Sequence, residues 1–144
     1  MAEDGIVTGV LLIVHEHYGA PLLDAARALV GPIDVTLVEA PLDASPEAIR
    51  AQVQAAAVSA NRGQGVLLLT DICGSTPANC CLRVVAEHPG SEMVAGLNLP
   101  MLIKLSTCDL RRPPTELAEE LRRTAQRSIQ KGADLLDKGD RSGD

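Results

Sequence analysis

Apolar residues follow two alternating patterns along the chain. Continuous apolar runs at 9–14 and 65–70 are typical of strands buried on both faces of a sheet. The segments between such runs repeat apolar residues every three or four positions, as in helices that cover a sheet. Strands that alternate with helices predict a mainly parallel sheet with helices on both faces, an α/β fold.

Turn and capping residues place the element boundaries. Ser45-Pro46 and Thr76-Pro77 are typical helix starts, because a hydroxyl caps the first N–H groups and proline fits the first turn. We predict strands at 9–14, 33–38, 65–70 and 93–97, and helices after Pro21, Ser45, Thr76, Asn98 and Pro113, the last continuing through Ile129. Without an internal repeat or a linker, 1–144 is predicted to form one domain with flexible tails at 1–8 and from about Lys138.

Composition excludes several classes of function. The chain has a net charge of −6, no Trp or Phe and a single Tyr, so it lacks the basic surface and aromatic platforms that nucleic-acid binding needs. No apolar run approaches the roughly 20 residues of a membrane span, and the acidic start does not resemble a secretory signal. Cys73, Cys80, Cys81 and Cys108 lack zinc-ribbon spacing. We therefore expect a cytoplasmic protein with reduced thiols.

Candidate chemistry lies at the ends of the predicted strands. His15 follows the first strand, Asp71 the third and Asn98 the fourth. Ligands of open parallel sheets gather beyond these carboxyl ends, and the first and third strands are commonly neighbours, so we expect His15 to meet Asp71. A carboxylate on one ring nitrogen fixes the histidine tautomer and leaves the other nitrogen as a nucleophile.

The loop after Asp71 suits an anion. Gly74 lets the backbone approach a ligand, and Ser75 and Thr76 lie at the start of a helix, where free N–H groups favour phosphate. Thr76 is the predicted cap of this helix. Its hydroxyl therefore bonds either to an N–H group of its own helix or to a phosphate. Together these residues suit reversible phosphorylation of a histidine, although each alone is also a common turn former.

A metal or redox site is an alternative. His15 and His17 with Cys73, or the pair Cys80-Cys81, offer zinc or copper ligands, but adjacent cysteines in a helix point in different directions. Neither a P-loop nor a dinucleotide fingerprint is present, which disfavours a nucleotide-dependent enzyme.

Three motifs carry a resemblance to one family. Residues 12–19 resemble the active-site motif of mannose/fructose/sorbose-family phosphotransferase system (PTS) enzyme IIA components, an apolar strand ending in His-Gly-x-Leu-Gly or a near variant. Residues 70–79 resemble its Asp-x-x-Gly-Gly-Ser-Pro-x-Asn motif, and 96–101 its Gly-Val-Asn-Leu-Pro-Met motif. The motifs occur in the family's order, and the similarity extends from about Gly9 to Ile129.

The resemblance implies a function and a site. His15 corresponds to the histidine that accepts phosphate from phospho-HPr and passes it to a IIB component, and Asp71 to the acidic residue that pairs with it. Thr76 stands where the family usually has Ser beside the phosphate, and Asn98 and Pro100 border the site. The resemblance also implies a homodimer that exchanges an antiparallel strand, here near 128–131, and it calls for no cofactor or metal.

Two departures from the family pattern leave alternatives open. Glu16 replaces the common Gly, and His17 adds a second histidine at the border of the site, so sliding the alignment makes His17 the nucleophile. We favour His15, because it ends the apolar strand directly and keeps the later motif residues in step. A stand-alone regulatory phosphoprotein of an incomplete PTS would use the same chemistry and is the alternative to a transport role.

Overall fold

A four-stranded sheet forms the centre of the fold. The computed structural model describes residues 6–142, and the side chains of residues 6–138. All strand pairs are parallel and their spatial order is β2-β1-β3-β4, which confirms the predicted α/β fold and the neighbouring first and third strands. The strands are β1 Gly9–His15, β2 Thr36–Ala40, β3 Val66–Thr70 and β4 Glu92–Ala95.

Helices cover both faces of the sheet, because alternate residues of the central strands point to opposite sides. Leu12 and Leu69 belong to one buried cluster, whereas Leu11 and Leu68 belong to the other. The first cluster lies beneath α1 Gly19–Val30, α4 Leu99–Leu105 and α5 Pro114–Arg127, and the second beneath α2 Pro46–Ala60 and α3 Thr76–Glu87. Aliphatic side chains make up most of both clusters, with Met101 in the first and Cys80 and Cys81 in the second.

The bounds of β1 and β3 differ from the prediction by one residue, whereas those of β2 and β4 differ by two or more at one or both ends. β2 pairs with β1 from Thr36 onward rather than from residue 33, because the Ile33 carbonyl accepts hydrogen bonds from the Arg27 guanidinium (2.9 Å) and from Val35 N (3.1 Å). β4 ends at Ala95, because Gly96 has a φ of 92° and turns the chain away from the ladder.

The predicted last helix is wrong at its carboxyl end. α5 ends at Arg127, where the Ser128 hydroxyl donates to the Ala125 carbonyl (2.6 Å) and closes the last turn. Residues 129–131 are irregular in this single chain, so they form neither the predicted helix nor a strand. A further helix, α6 Gly132–Ser142, occupies part of the segment predicted as a flexible tail. The ends at 1–5 and 143–144 lie outside the described residues.

A helix that spans a bilayer needs about 20 mostly apolar residues, and this requirement applies to each helix of residues 6–142. None of them is both long enough and apolar enough to cross a membrane.

Gly9 provides a test of the packing between β1 and α2. A β-carbon at Gly9 would overlap the Ala60 carbonyl oxygen and lie 2.8 Å from the Ala60 carbonyl carbon, so backbone would have to move. We expect Gly9→Ala to lower the free energy of unfolding by about 1–3 kcal/mol in urea denaturation. Gly132→Ala is the control, because a β-carbon there meets nothing within 4 Å. Equal stability of the two variants would contradict this close contact.

Candidate active site at the carboxyl ends of β1, β3 and β4

His15 and Asp71 meet at the centre of this edge of the sheet. His15 is the last residue of β1, and Asp71 follows the last residue of the neighbouring strand β3. The Asp71 Oδ2 atom lies 2.9 Å from His15 Nδ1 and also accepts the His15 backbone N–H at 2.9 Å. The side chain of Asp71 is only 6% exposed and that of His15 is 27% exposed, so the ring retains access to solvent.

The Asp71 carboxyl is held in its ionised form. Burial raises the pKa of Asp71, but hydrogen bonds from the His15 backbone and ring, the charge of His15 and the N–H of Ile72 together outweigh burial. The pKa of Asp71 therefore lies below its ordinary value. An ionised carboxylate can only accept hydrogen bonds, which assigns a proton to His15 Nδ1; in the neutral form of the ring, Nε2 then has the lone pair.

The neighbours Glu16 and His17 differ from His15 in their surroundings. His17 is 82% exposed with a φ of 73°, and its Nε2 lies 3.9 Å from Glu16 Oε2. Glu16 Oε1 instead accepts the Leu42 N–H at 2.8 Å, which ties the loop after β1 to the loop after β2. The structure thus places His15, and not His17, against the buried carboxylate.

The loop after β3 corrects one prediction. The cap of α3 is Ser75 rather than Thr76: its hydroxyl accepts the Ala78 N–H at 3.3 Å and donates to the Ile72 carbonyl at 2.8 Å. Thr76 is the first helical residue, exposed, and within residues 6–138 its hydroxyl forms no hydrogen bond. Gly74 has a φ of 86°, a conformation that favours glycine. Ser75 therefore has the capping role that was predicted for Thr76, and the Thr76 hydroxyl is left exposed to a ligand.

The loop after β4 lies at the same edge of the sheet as His15 and Asp71. Asn98 caps α4 through a 3.0 Å bond from Met101 N, and Pro100 follows in the first turn. The Thr70 carbonyl accepts both Gly96 N at 2.9 Å and Leu97 N at 3.0 Å, which joins this loop to β3.

Tyr18 is a site residue that the sequence analysis missed. Its phenol donates to the Leu97 carbonyl at 2.9 Å, so it links the loop after β1 to the loop after β4. The available signal was its position, since the only aromatic residue of the chain stands three residues after His15.

The cysteines and histidines do not assemble into a metal centre in the described part of the chain. No group of three side chains from His, Cys, Asp or Glu lies close enough together there to hold an ion. Burial, followed by the charges of Cys80 and Asp71, raises the pKa of Cys81 to about 12. This thiol is therefore protonated at neutral pH, which suits core packing rather than metal binding.

Known proteins resemble the chain in sequence. The model of the EIIA-man family, "PTS system fructose IIA component", matches residues 9–128. The "PTS system fructose-specific EIIA component" of Bacillus subtilis is 34% identical over 73 residues, which are 51% of this chain and 50% of that protein. The "PTS system mannose-specific EIIAB component" of Escherichia coli K12 is 42% identical over 41 residues, 28% of this chain and 13% of that protein. The chain thus spans half or less of these relatives.

Solved structures share its fold. The "Mannose/sorbose specific IIA subunit of phosphotransferase system" from Enterococcus faecalis superposes with a TM-score of 0.78 at 25% identity, covering 87% of this chain and 94% of that one. A PTS IIA protein associated with the fucose utilization operon of Streptococcus pneumoniae superposes with a TM-score of 0.71 at 23% identity, covering 91% and 97%. At 23% identity, the second superposition shows only that the two proteins share a fold.

The buried carboxylate makes stability depend on pH. Because the pKa of Asp71 is lower in the folded state, the ionised group stabilises the fold above its unfolded pKa of about 4, and this is lost as pH falls through the folded value. We expect Asp71→Asn to lower the free energy of unfolding by about 1–3 kcal/mol at pH 7 in urea denaturation, and the difference to shrink toward pH 3. Asp43→Asn, at an exposed position, should match the wild type at pH 7. A pH-independent difference would contradict this role.

Proposed function

The chain belongs to the EIIA-man family of PTS IIA components, and from this premise we propose that it is a cytoplasmic phosphohistidine carrier. In this proposal His15 accepts a phosphoryl group from phospho-HPr and passes it to a IIB component. The observation that carries the proposal is the 2.9 Å contact between His15 Nδ1 and the buried, ionised Asp71. IIA components are phosphotransferases in general, so the chemistry to explain is reversible transfer between nitrogen atoms.

The geometry supports Nε2 of His15 as the nucleophile. Its lone pair attacks the phosphorus as the bond from phosphorus to the donor's histidine nitrogen breaks, and no further co-reactant is needed. The ring gains positive charge while the proton stays on Nδ1, facing Asp71 Oδ2. The carboxylate stabilises this charge, and positioning with electrostatics provides most of the catalysis in such loose transfers.

The loop after β3 would receive the phosphoryl oxygens. Within the described residues, the backbone N–H groups of Gly74 and Thr76 and the Thr76 hydroxyl have no hydrogen-bond partner. These groups precede or begin α3, whose amino end carries partial positive charge. Thr76 thus takes the phosphate-facing role here, while Ser75 is engaged in capping the helix.

Exposed apolar side chains around His15 supply a docking surface for protein partners. Leu42 is 68% exposed and Ile72 is 59% exposed, and they lie in the loops that follow β2 and β3. The part of a protein interface that becomes fully buried is more apolar than its rim. HPr and IIB would use this surface in turn, since both must reach His15.

The edge of β4 supports a homodimer. Within residues 6–142, β4 pairs only with β3, and a groove of about 460 Å³ runs beside it, lined by Ala95, Ala118, Arg122 and Ile129 among others. Ile129 is 82% exposed in the irregular segment before α6. We propose that residues 128–131 of a second copy add an antiparallel strand to this edge.

Phosphoryl labelling tests the role of His15. Intact-protein mass spectrometry after incubation with phosphoenolpyruvate, enzyme I and HPr should show one acid-labile phosphoryl group on the wild type. His15→Ala should abolish it because the nucleophile is gone, whereas His17→Ala should retain it because that ring is 82% exposed and away from Asp71. Labelling that survives His15→Ala would refute the proposal.

Light scattering after size-exclusion chromatography tests the dimer. The wild type should have a mass of about 30 kDa, since two chains of 15.1 kDa associate. Ile129→Asp should shift it toward a single chain, because a charge would be buried at the interface. Leu136→Asp is the control, a similarly exposed apolar residue in α6. A monomeric wild type would refute strand exchange.

A further inference from the structure

A closed circuit of hydrogen bonds surrounds His15. Asp71 holds His15 through its backbone and its ring, and the preceding residue, Thr70, accepts the N–H groups of Gly96 and Leu97. The Leu97 carbonyl then accepts the Tyr18 phenol, which returns the circuit to the loop that begins at His15. The circuit therefore runs through the loops after β1, β3 and β4, and Tyr18 supplies its last bond.

Tyr18 is placed to transmit this restraint to the histidine. Its backbone N–H lies 3.4 Å from the His15 carbonyl, and its own carbonyl accepts the Leu22 N–H at 3.3 Å in the first turn of α1. Its ring is 40% exposed and its hydroxyl lies 2.9 Å from the Leu97 carbonyl. The side chain thus ties the turn of residues 15–18 to a loop that β3 holds independently.

We propose that Tyr18 is a positioning residue for phosphoryl transfer, and this rests on the proposed function of His15. Asp71 holds the first residue of the turn at 15–18, and the phenol holds the last, so the imidazole stays against the carboxylate with Nε2 presented to the partner. Restraints at both ends of the turn limit the motion that one alone would leave. In-line transfer depends on such placement, because a small displacement of the nucleophile slows the reaction strongly.

In this proposal, the contact that matters is the hydrogen bond from the Tyr18 hydroxyl to the Leu97 carbonyl. Tyr18→Phe keeps the ring and removes one donor, so the Leu97 carbonyl loses its bond to the loop after β1. Ser106→Ala is the matched control: it also removes a hydroxyl that donates to a carbonyl, that of Ile103 at 2.6 Å, in the last turn of α4. Comparing the two variants separates the loss of this particular bond from the loss of any bond of its kind.

The experiment measures transfer from phospho-HPr to the full chain and the state of the His15 ring. We expect Tyr18→Phe to lower the rate at saturating donor by about three- to tenfold, the loss that one hydrogen bond produces, with KM changed less than about twofold. Nitrogen-15 NMR of the imidazole should show a weaker or broadened His15 Nδ1–H signal. Ser106→Ala should leave rate and spectrum unchanged.

Several outcomes would overturn the positioning role. An effect on KM alone with an unchanged spectrum would assign Tyr18 to partner docking, and unchanged rate and spectrum would show that the bond has no consequence. An equal effect of Ser106→Ala would assign the loss to general stability. If the wild type itself is not labelled, the proposed function fails. The NMR spectrum then tests the positioning role separately: a disturbed His15 Nδ1–H signal in Tyr18→Phe supports it, and an intact signal refutes it.

Discussion

The carboxylate of Asp71 is the group on which the organisation of the site depends. Its two oxygens accept three hydrogen bonds: from the backbone and ring of His15 and from the N–H of Ile72. The first two join neighbouring strands at their ends and orient the histidine, and the third shapes the turn that leads to α3. Because the carboxylate is buried and ionised, loss of its charge would weaken the contact between the ends of β1 and β3 and, in the proposed carrier, the support of the ring.

The parallel sheet supplies the reason why these residues meet. β1 and β3 are neighbours although β2 lies between them in sequence, so residues 56 positions apart come into contact. Helices on both faces bury the strands, and the polar groups gather beyond the strand ends where solvent and partners have access. The sheet therefore brings the residues of the candidate site together at its edge, while the buried polar side chains of the described residues, Thr8, Thr70 and Ser91, are uncharged.

The loop after β3 combines structural and proposed chemical roles in adjacent residues. Ser75 uses its hydroxyl to cap α3, whereas Thr76 begins the helix with its hydroxyl exposed. This division is consistent with elementary requirements, since a helix start needs one capping oxygen and a phosphate needs further donors. Two neighbouring hydroxyls allow both needs to be met within one turn.

Sequence alone determined the elements that depend on local pattern: the apolar runs of β1 and β3, the cap at Ser45, the helix start after Asn98, and the candidates His15 and Asp71 at strand ends. Tertiary structure decided what depends on non-local contacts. The start of β2, the end of β4 and the choice of Ser75 as cap instead follow from short-range hydrogen bonds and backbone angles that the residue pattern does not reveal. The bond between Tyr18 and Leu97 joins residues 79 positions apart, and no local pattern encodes such a partner, because it arises only when the sheet brings the loops together.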